Sequence, residues 1–355
     1  GDLNIYAGGI SVTGNAYGVS VAGSLNQPAG TITSGTGTVT LDGTASLQSL
    51  LTTSTLNNLT LDNGLVGYWK FDDGPGNSTT RDSSTSGNNG VLTNMDASTD
   101  WVAASNDNIN FSNNYALDFD GSNDYVDAGT SSEVKPTGSV TVSAWINQDS
   151  TAGSRAITTH GYLYNGGTGQ GAYGLGIYSN KVYFAVRTTN SYRTGRQGGT
   201  IPSTGEWHHI AGTFTSGQNI KAYLNGSASS TSTSETTLVY SGPNNEIRMG
   251  WESNAPTKFN GRIDDVRVYN RALSPSEVAS LANGNPGTGS GVYTLGNALN
   301  ITGNLEILGE LNTGNGNDIT LSGDWINVGE FTSTGTVTLD GTSQSISGSP
   351  VFNNL

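Results

Sequence analysis

Glu206-Trp207-His208-His209 sets a carboxylate beside two imidazoles, the residue types that general acid–base chemistry uses. In an alternating strand His208 and His209 point to opposite faces, so they cannot serve one site. His160 is the only other histidine, and neither a matched nucleophile nor a His-Glu-x-x-His spacing accompanies the three. They are read as structural, and no catalytic residue is assigned. Hard cations are bound by several oxygens from Asp, Asn and backbone carbonyls, and loops here are rich in these, which makes calcium the best-supported chemistry. The run Asp118-Phe-Asp120-Gly-Ser-Asn123-Asp124 has the look of a calcium loop, but its twelfth position is Gly129 where an EF-hand requires a bidentate Glu. It is read as a strand ending in a turn. Gly169-Gln-Gly171-Ala-Tyr-Gly174 matches the dinucleotide pattern by letter, yet Leu-Gly-Ile-Tyr-Ser follows it, a strand where a phosphate-binding helix is needed. Tyr162, Tyr164, Tyr173, Tyr192, Arg193, Arg196 and Trp251 fall in loop-like segments. Exposed rings with polar neighbours stack on sugars, so these residues form a candidate glycan-binding set; the competing reading has the rings covering sandwich edges or touching the flanking segments.

The elements that position these residues are strands. The chain has 355 residues, 51 of them Gly, no Cys, 12% charged residues and a formal charge of -14. That length accommodates two or three domains. Lys and Arg are few and scattered, which excludes the clustered positive charge that phosphate backbones demand. No apolar run approaches the roughly 20 residues of a membrane helix, and Gly1-Asp2-Leu3-Asn4 lacks the basic start of a signal peptide. Without Cys, disulfides and thiolate sites are excluded. Alternating runs such as Val140-Thr-Val-Ser-Ala-Trp145, separated by Gly, Ser, Thr and Asn, predict an all-β chain.

Self-similarity divides that chain. Gly37-Thr-Val-Thr-Leu-Asp-Gly-Thr44 returns as Gly335-Thr-Val-Thr-Leu-Asp-Gly-Thr342, Leu56-Asn-Asn-Leu59 as Phe352-Asn-Asn-Leu355, and Leu3-Asn-Ile5 as Leu299-Asn-Ile301, at offsets of about 296 to 298. Ile301, Ile319, Val337 and Leu355 recur about every 18 residues in short alternating runs, the signature of β-solenoid rungs that bury inward Ile, Val and Leu against the next coil. In the first copy Val21 and Val39 keep this phase and Leu59 falls about two residues late. Two short antiparallel sandwich pieces are the alternative. A few rungs are too short to bury a core alone, so the two copies are expected to stack on each other or on neighbouring copies. The expected domains are 1–64 and 286–355, solenoid-like, with 65–285 between them.

In the middle segment aromatics concentrate and longer runs, such as Lys181-Val-Tyr-Phe-Ala-Val186, alternate as half-buried strands, consistent with a sandwich of about 12 to 14 strands. Asp264-Asp-Val-Arg-Val-Tyr-Asn-Arg-Ala-Leu-Ser274 reads as its last strand. Ser274-Pro-Ser-Glu277 is a capping box with Pro at the first helical position, predicting a short helix to about Ala282 that ends near Gly284. Gly284-Asn-Pro-Gly-Thr-Gly-Ser-Gly291 then reads as a flexible linker.

Six motifs in order, Gly64-Leu-Val-Gly-Tyr-Trp-Lys-Phe-Asp72, Asp82 to Gly90, Ala116 to Val126, Val140 to Trp145, Glu206 to Phe214 and Phe259 to Ser274, resemble the laminin-G-like, concanavalin A-like jelly-roll family. The flanking repeats resemble stretches of large bacterial surface proteins. The first resemblance implies a calcium ion between the Asp-rich N-terminal loop and the final strand, and carried over by residue it points to Asp82, Asn88 and Asp264, with Asp120 and Asp124 in reserve. The competing reading has Asp82 and Asn88 shaping an Asx turn and Asp264 pairing with Arg262 or Arg267. Fold relatives include glycan-cleaving enzymes built on paired carboxylates, but no strand here carries their close pair of Glu residues. The expected architecture is therefore a jelly-roll β-sandwich flanked by two short β-solenoid segments. The expected function is that of a non-enzymatic, structural and adhesive extracellular or cell-surface module, either tandemly repeated with a period near 296 residues or stacked end to end with identical subunits into a surface fibre. Calcium-dependent carbohydrate binding is the second expectation, and glycan hydrolysis the third.

Overall fold

The computed structural model describes residues 3–4, 9–11, 19–21, 25–26, 31–33, 38–42, 47–48, 56–62, 64–84, 86–104, 114–161, 171–189, 191, 194–240, 245–252, 257–284, 292–295, 298–307, 310–313, 316–327, 330–348 and 350–355. They fall into two compact units, Gly1–Gly64 with Pro286–Leu355, and Leu65–Asn285. The linker expected over 284–291 lies, beyond Gly284, outside the described residues.

The first unit is a parallel stack. Its largest sheet runs Val19–Val21, Thr38–Asp42, Asn58–Asp62, Leu305–Ile307, Trp325–Asn327 and Ile346–Gly348 in order. Every one of these pairings is parallel. Val19 pairs with Val39 and Val39 with Leu59, so the first copy advances by about 20 residues per coil. Leu305 pairs with Trp325, again about 20 residues on. The 18-residue spacing seen in the sequence survives at Ile319↔Val337, but Ile301 pairs with Leu321 rather than Ile319. The coil is thus mostly longer than the strand-to-strand count suggested, because turns of unequal length separate the strands. Leu59 is in phase, and Val21 pairs with Leu41 rather than Val39.

Between Asn58–Asp62 and Leu305–Ile307 the stack passes from the first copy directly to the second: Leu59 pairs with Leu305, and Thr60 donates to Glu306 at a sequence separation of 246. One apolar core runs through both copies, including Leu41, Leu59, Leu61, Leu305, Ile307 and Trp325. Tyr293 donates to the Leu41 carbonyl at 2.7 Å. A ladder of side-chain oxygens tracks the same stack: Asn58 Oδ1 accepts from Asn304 N, Asn304 Oδ1 from Asp324 N, and Asp324 Oδ1 from Ser345 N, each at 2.8 Å. Each coil thereby satisfies a backbone donor of the coil above it.

The second unit is an antiparallel sandwich of two eight-stranded sheets, more strands than the 12 to 14 expected from sequence. The excess comes from short strands, such as Thr79–Thr80 and Trp101–Ala103, which carry too little alternation to be seen. One sheet runs Thr79–Thr80, Gly90–Thr93, Tyr125–Asp127, Ile247–Met249, Arg155–His160, Tyr173–Tyr178, Lys181–Val186, Thr194–Thr200. The other runs Trp101–Ala103, Tyr115–Asp120, Asn260–Tyr269, Val140–Gln148, Trp207–Thr215, Asn219–Leu224, Ser227–Ser232, with Leu65–Trp69 also paired to Asn260–Tyr269. Trp69, Phe71, Phe119, Phe184, Phe214 and Phe259 fill the space between them.

The last strand ends at Tyr269, five residues before Ser274, and lies inside its sheet rather than at its rim. The helix Pro275–Ala282 follows, with Ser274 and Glu277 forming a reciprocal capping box; its Val278 and Leu281 pack on Ala211, Tyr223 and Tyr269. Gly284 sits at φ +68, a left-handed conformation that ends the helix cheaply.

Candidate functional site

The strand Asn260–Tyr269 organises the sandwich through a bulge. Ser143 pairs with Arg267 but Trp145 with Asp264, so two residues of the last strand oppose Ala144. Asp265, at φ +51, occupies the left-handed conformation that this bulge requires. The kink lets Asp265 reach Arg267 two residues on, Oδ1 to the guanidinium at 3.0 Å. The same guanidinium donates to the Tyr68 hydroxyl at 2.7 Å and stacks over its ring at 4.3 Å. Burial pushes the Tyr68 phenol well above its ordinary range, against the opposing pull of Arg267. Arg267 is itself raised: burial disfavours its charge, but Asp265, Tyr68 and Tyr269 together outweigh that. Arg267 thus pairs with Asp265, and Arg262 approaches Asp118 at 4.0 Å.

Asp82 is 4% exposed, and three backbone N–H groups aim at its carboxylate. Those of Tyr68 and Ser84 reach Oδ1 at 2.9 and 2.8 Å, and that of Asn88 reaches Oδ2 at 2.8 Å. Asn88 lies beside it, its carbonyl accepting from the Trp69 indole at 2.8 Å. The Asp264 carboxylate is fully buried and accepts from the Asp265 N–H at 2.8 Å. Asp120 accepts from Ser122 and Asn123 N–H groups at 2.7 and 3.2 Å, and Asp124 from Asp120 N at 2.9 Å. Burial works to raise the Asp120 carboxyl, but these backbone donors hold it below its ordinary value. Burial, and then the Asp120 charge, push Asp124 up to about 6. The structure therefore joins Asp82 to Asn88 and Asp120 to Asp124. Among the described residues no three His, Cys, Asp or Glu side chains gather as a metal-holding group. Asp82, Asp120 and Asp124 each accept backbone N–H groups, as turn-forming Asp side chains do.

His208 and His209 face opposite ways, as alternation requires. His209 packs edge-on against Trp145 at 5.4 Å, and burial, with Arg267 nearby, pushes it down to about 3. His208 forms a chain whose members sequence spacing does not reveal. Its Nε2 lies 3.1 Å from Ser203 Oγ, Ser203 donates to Glu206, and its Nδ1 lies 3.3 Å from Asn225 Nδ2. The Asn225 amide is oriented by His209 N, which donates to Oδ1 at 2.9 Å. Its NH2 group therefore faces His208 Nδ1, which must accept. The proton then sits on Nε2, directed at Ser203, and His208 in this tautomer cannot take the serine proton.

Of the glycan candidates, Tyr162, Tyr164, Tyr192 and Arg193 lie outside the described residues. Tyr173 is fully buried in a strand, donating to the Val134 carbonyl at 2.7 Å, and Arg196 lies in the edge strand Thr194–Thr200. Trp251 is half-buried and meets Tyr125 edge-on at 5.4 Å, with Lys258 over its own ring at 5.1 Å and Arg248 over that of Tyr125 at 4.5 Å. Sequence spacing does not join Tyr125 to Arg248, whose strands are neighbours only in the sheet, and a bridge between Trp251 and Lys258 brings the lysine over the indole.

Residues 120–279 match a laminin-G-like family model described as the Concanavalin A-like lectin/glucanases superfamily. No curated protein sequence matches the chain. Among solved structures, domain 4 of AbnA, a GH43 extracellular arabinanase from Geobacillus stearothermophilus, in complex with arabinotriose, is similar at 20% identity and a TM-score of 0.45. The match covers 61% of this chain and 98% of that one. The binding domain of Paraclostridial Mosquitocidal Protein 1 is similar at 17% identity and a TM-score of 0.44, over 62% of this chain and 52% of that one. The receptor binding domain of botulinum neurotoxin C/D mosaic serotype is similar at 15% identity and a TM-score of 0.44, over 62% of this chain and 51% of that one. The chain spans about half the length of both toxin domains. The sandwich is a laminin-G-like domain of the concanavalin A-like superfamily, inserted between the coils of a β-solenoid.

Proposed function

We infer that this chain is a non-enzymatic extracellular module whose solenoid is a structural scaffold carrying the laminin-G-like domain, and that the scaffold joins end to end with further copies into an adhesive surface fibre. The observation that carries this reading is the Leu59↔Leu305 pairing. Coils that are not consecutive in sequence stack there in register, through backbone hydrogen bonds and a shared apolar core. A coil of another copy presents the same kind of parallel strand edge, and such edges pair. Recurrence of the repeat motifs after about 296 residues supports the same reading. The test is sedimentation and electron microscopy of the purified chain across a range of concentrations. End-to-end particles are expected, and Ile346→Lys, which places a charge on the strand Ile346–Gly348, shortens them. Particles that stay monomeric at high concentration sink the idea.

Carbohydrate binding by the sandwich is the second reading, favoured by the Tyr125–Trp251 pair with its flanking cations. A glycan array probed with and without a calcium chelator tests it. Glycan capture lost with the chelator supports a calcium-dependent lectin, and no capture in either arm removes it.

A further inference from the structure

Asn225 and Gly226 form the two-residue turn between Asn219–Leu224 and Ser227–Ser232, with both residues at positive φ, +46 and +79, as primed hairpin turns require. Asn followed by Gly is also the pair in which the next backbone nitrogen reaches the side-chain amide carbon with least hindrance, since Gly carries no Cβ. Here the surroundings of that amide match the charges such a reaction develops. Asn225 Oδ1, which becomes negative when the Gly226 nitrogen adds to Cγ, already accepts from the fixed His209 N–H at 2.9 Å, an oxyanion-stabilising contact. Nδ2, the leaving nitrogen, lies 3.3 Å from His208 Nδ1, whose free lone pair takes up a proton and hands it on to that nitrogen. The Asn225 side chain is on the exposed side of the turn, while His208 is 5% exposed and held in place.

We propose that Asn225 is a built-in deamidation site assisted by His208. The Gly226 nitrogen bonds to Asn225 Cγ as the Cγ–Nδ2 bond breaks. The proton lost by Gly226 N passes to the lone pair of His208 Nδ1 and from there to the departing nitrogen, so ammonia leaves and a succinimide remains. Water then opens the ring at either carbonyl, producing aspartate or isoaspartate. An aspartate carboxylate can only accept, so His208 Nδ1 then carries the proton and its Nε2 lone pair turns to Ser203. Isoaspartate lengthens the turn by one backbone atom where Gly226 has no room to move: a Cβ there would stand 3.1 Å from the Ala279 Cα of the helix.

Asn89-Gly90 is an internal control. Asn89 is exposed, and its Oδ1 also accepts from a backbone N–H, that of Asp82 at 2.9 Å. The intact protein is incubated at neutral pH and both sites are followed by peptide mass mapping. Asn225 is expected to convert about tenfold faster than Asn89, a modest share of what general acid catalysis contributes. His208→Gln should bring Asn225 down to the Asn89 rate. Equal or faster conversion at Asn89 in the unaltered protein overturns the proposal without any variant, as does an unchanged Asn225 rate in a folded His208→Gln protein. In Asn225→Asp, the ring nitrogen shifts of His208 should show the proton moved to Nδ1; an unmoved proton refutes the predicted consequence.

Discussion

If the two repeat copies form one stack, damage in the first must be felt in the second, and Leu59→Ala is the perturbation that tells. Leu59 is fully buried between Val39 and Leu305, at the point where the stack crosses from one copy to the other. Truncating a buried Leu to Ala costs about 2–5 kcal/mol, from lost apolar transfer and the cavity left behind. The upper half of that range is expected here, because a parallel sheet held by its neighbours on both sides has little freedom to collapse. At about 1.4 kcal/mol per factor of ten, that corresponds to a rise of about 300-fold to several thousandfold in amide exchange wherever opening is coupled. Hydrogen exchange with mass spectrometry reads this directly. Peptides spanning Thr38–Asp42, Leu305–Ile307 and Trp325–Asn327 should all accelerate, while Val140–Gln148 in the sandwich should not. Acceleration confined to Thr38–Asp42, with Leu305–Ile307 unchanged, would refute the single stack and with it the main support for the scaffold reading.

Arg267→Ala should lower the stability of the sandwich by about 3–5 kcal/mol in denaturant titration, because it leaves Asp265 buried without its partner. The double variant Asp265→Asn with Arg267→Met should lose clearly less, and equal losses would contradict the pairing argument. Acid should weaken the same unit. His160 lies fully buried between Tyr173 and Tyr240, neither ring nitrogen has a hydrogen-bond partner among the described residues, and burial pushes it down to about 3. Below about 6.5 the unfolded chain takes up a proton that the folded chain refuses, so stability present above that pH falls toward pH 3, by up to about 1.4 kcal/mol per pH unit. Urea midpoints from pH 7 to pH 4 should show this slope, and His160→Phe should reduce it while the equally depressed His209 keeps a share. Asp124 acts in the other direction. Its carboxyl is raised, so the folded state favours the protonated form and is penalised as pH rises from about 4 through about 6. Asp124→Asn should therefore stabilise the sandwich at pH 7, by about 1 kcal/mol after allowance for solvent screening. A loss of stability would show that its hydrogen bond to Asp120 N matters more than its charge.

Local chemistry is what the sequence by itself determined. The helix after the last strand is legible in Ser274, Pro275 and Glu277 because a capping box needs only residues three apart. The opposed faces of His208 and His209 follow from strand alternation alone. The laminin-G-like sandwich is legible because its motifs keep their order along the chain, and the coils because inward residues recur. What the tertiary structure decided is everything that depends on which strands become neighbours. The coil of about 20 residues emerges only from register, since turns of unequal length disguise it, and Leu59 meets Leu305 across the whole inserted domain. The bulge at Asp265 sets that carboxylate against Arg267, because one extra residue re-aims every side chain near it. Asn225 reaches His208 only because a hairpin folds back by one strand width. Sequence spacing carries no trace of that contact, and it decides which nitrogen of His208 holds the proton.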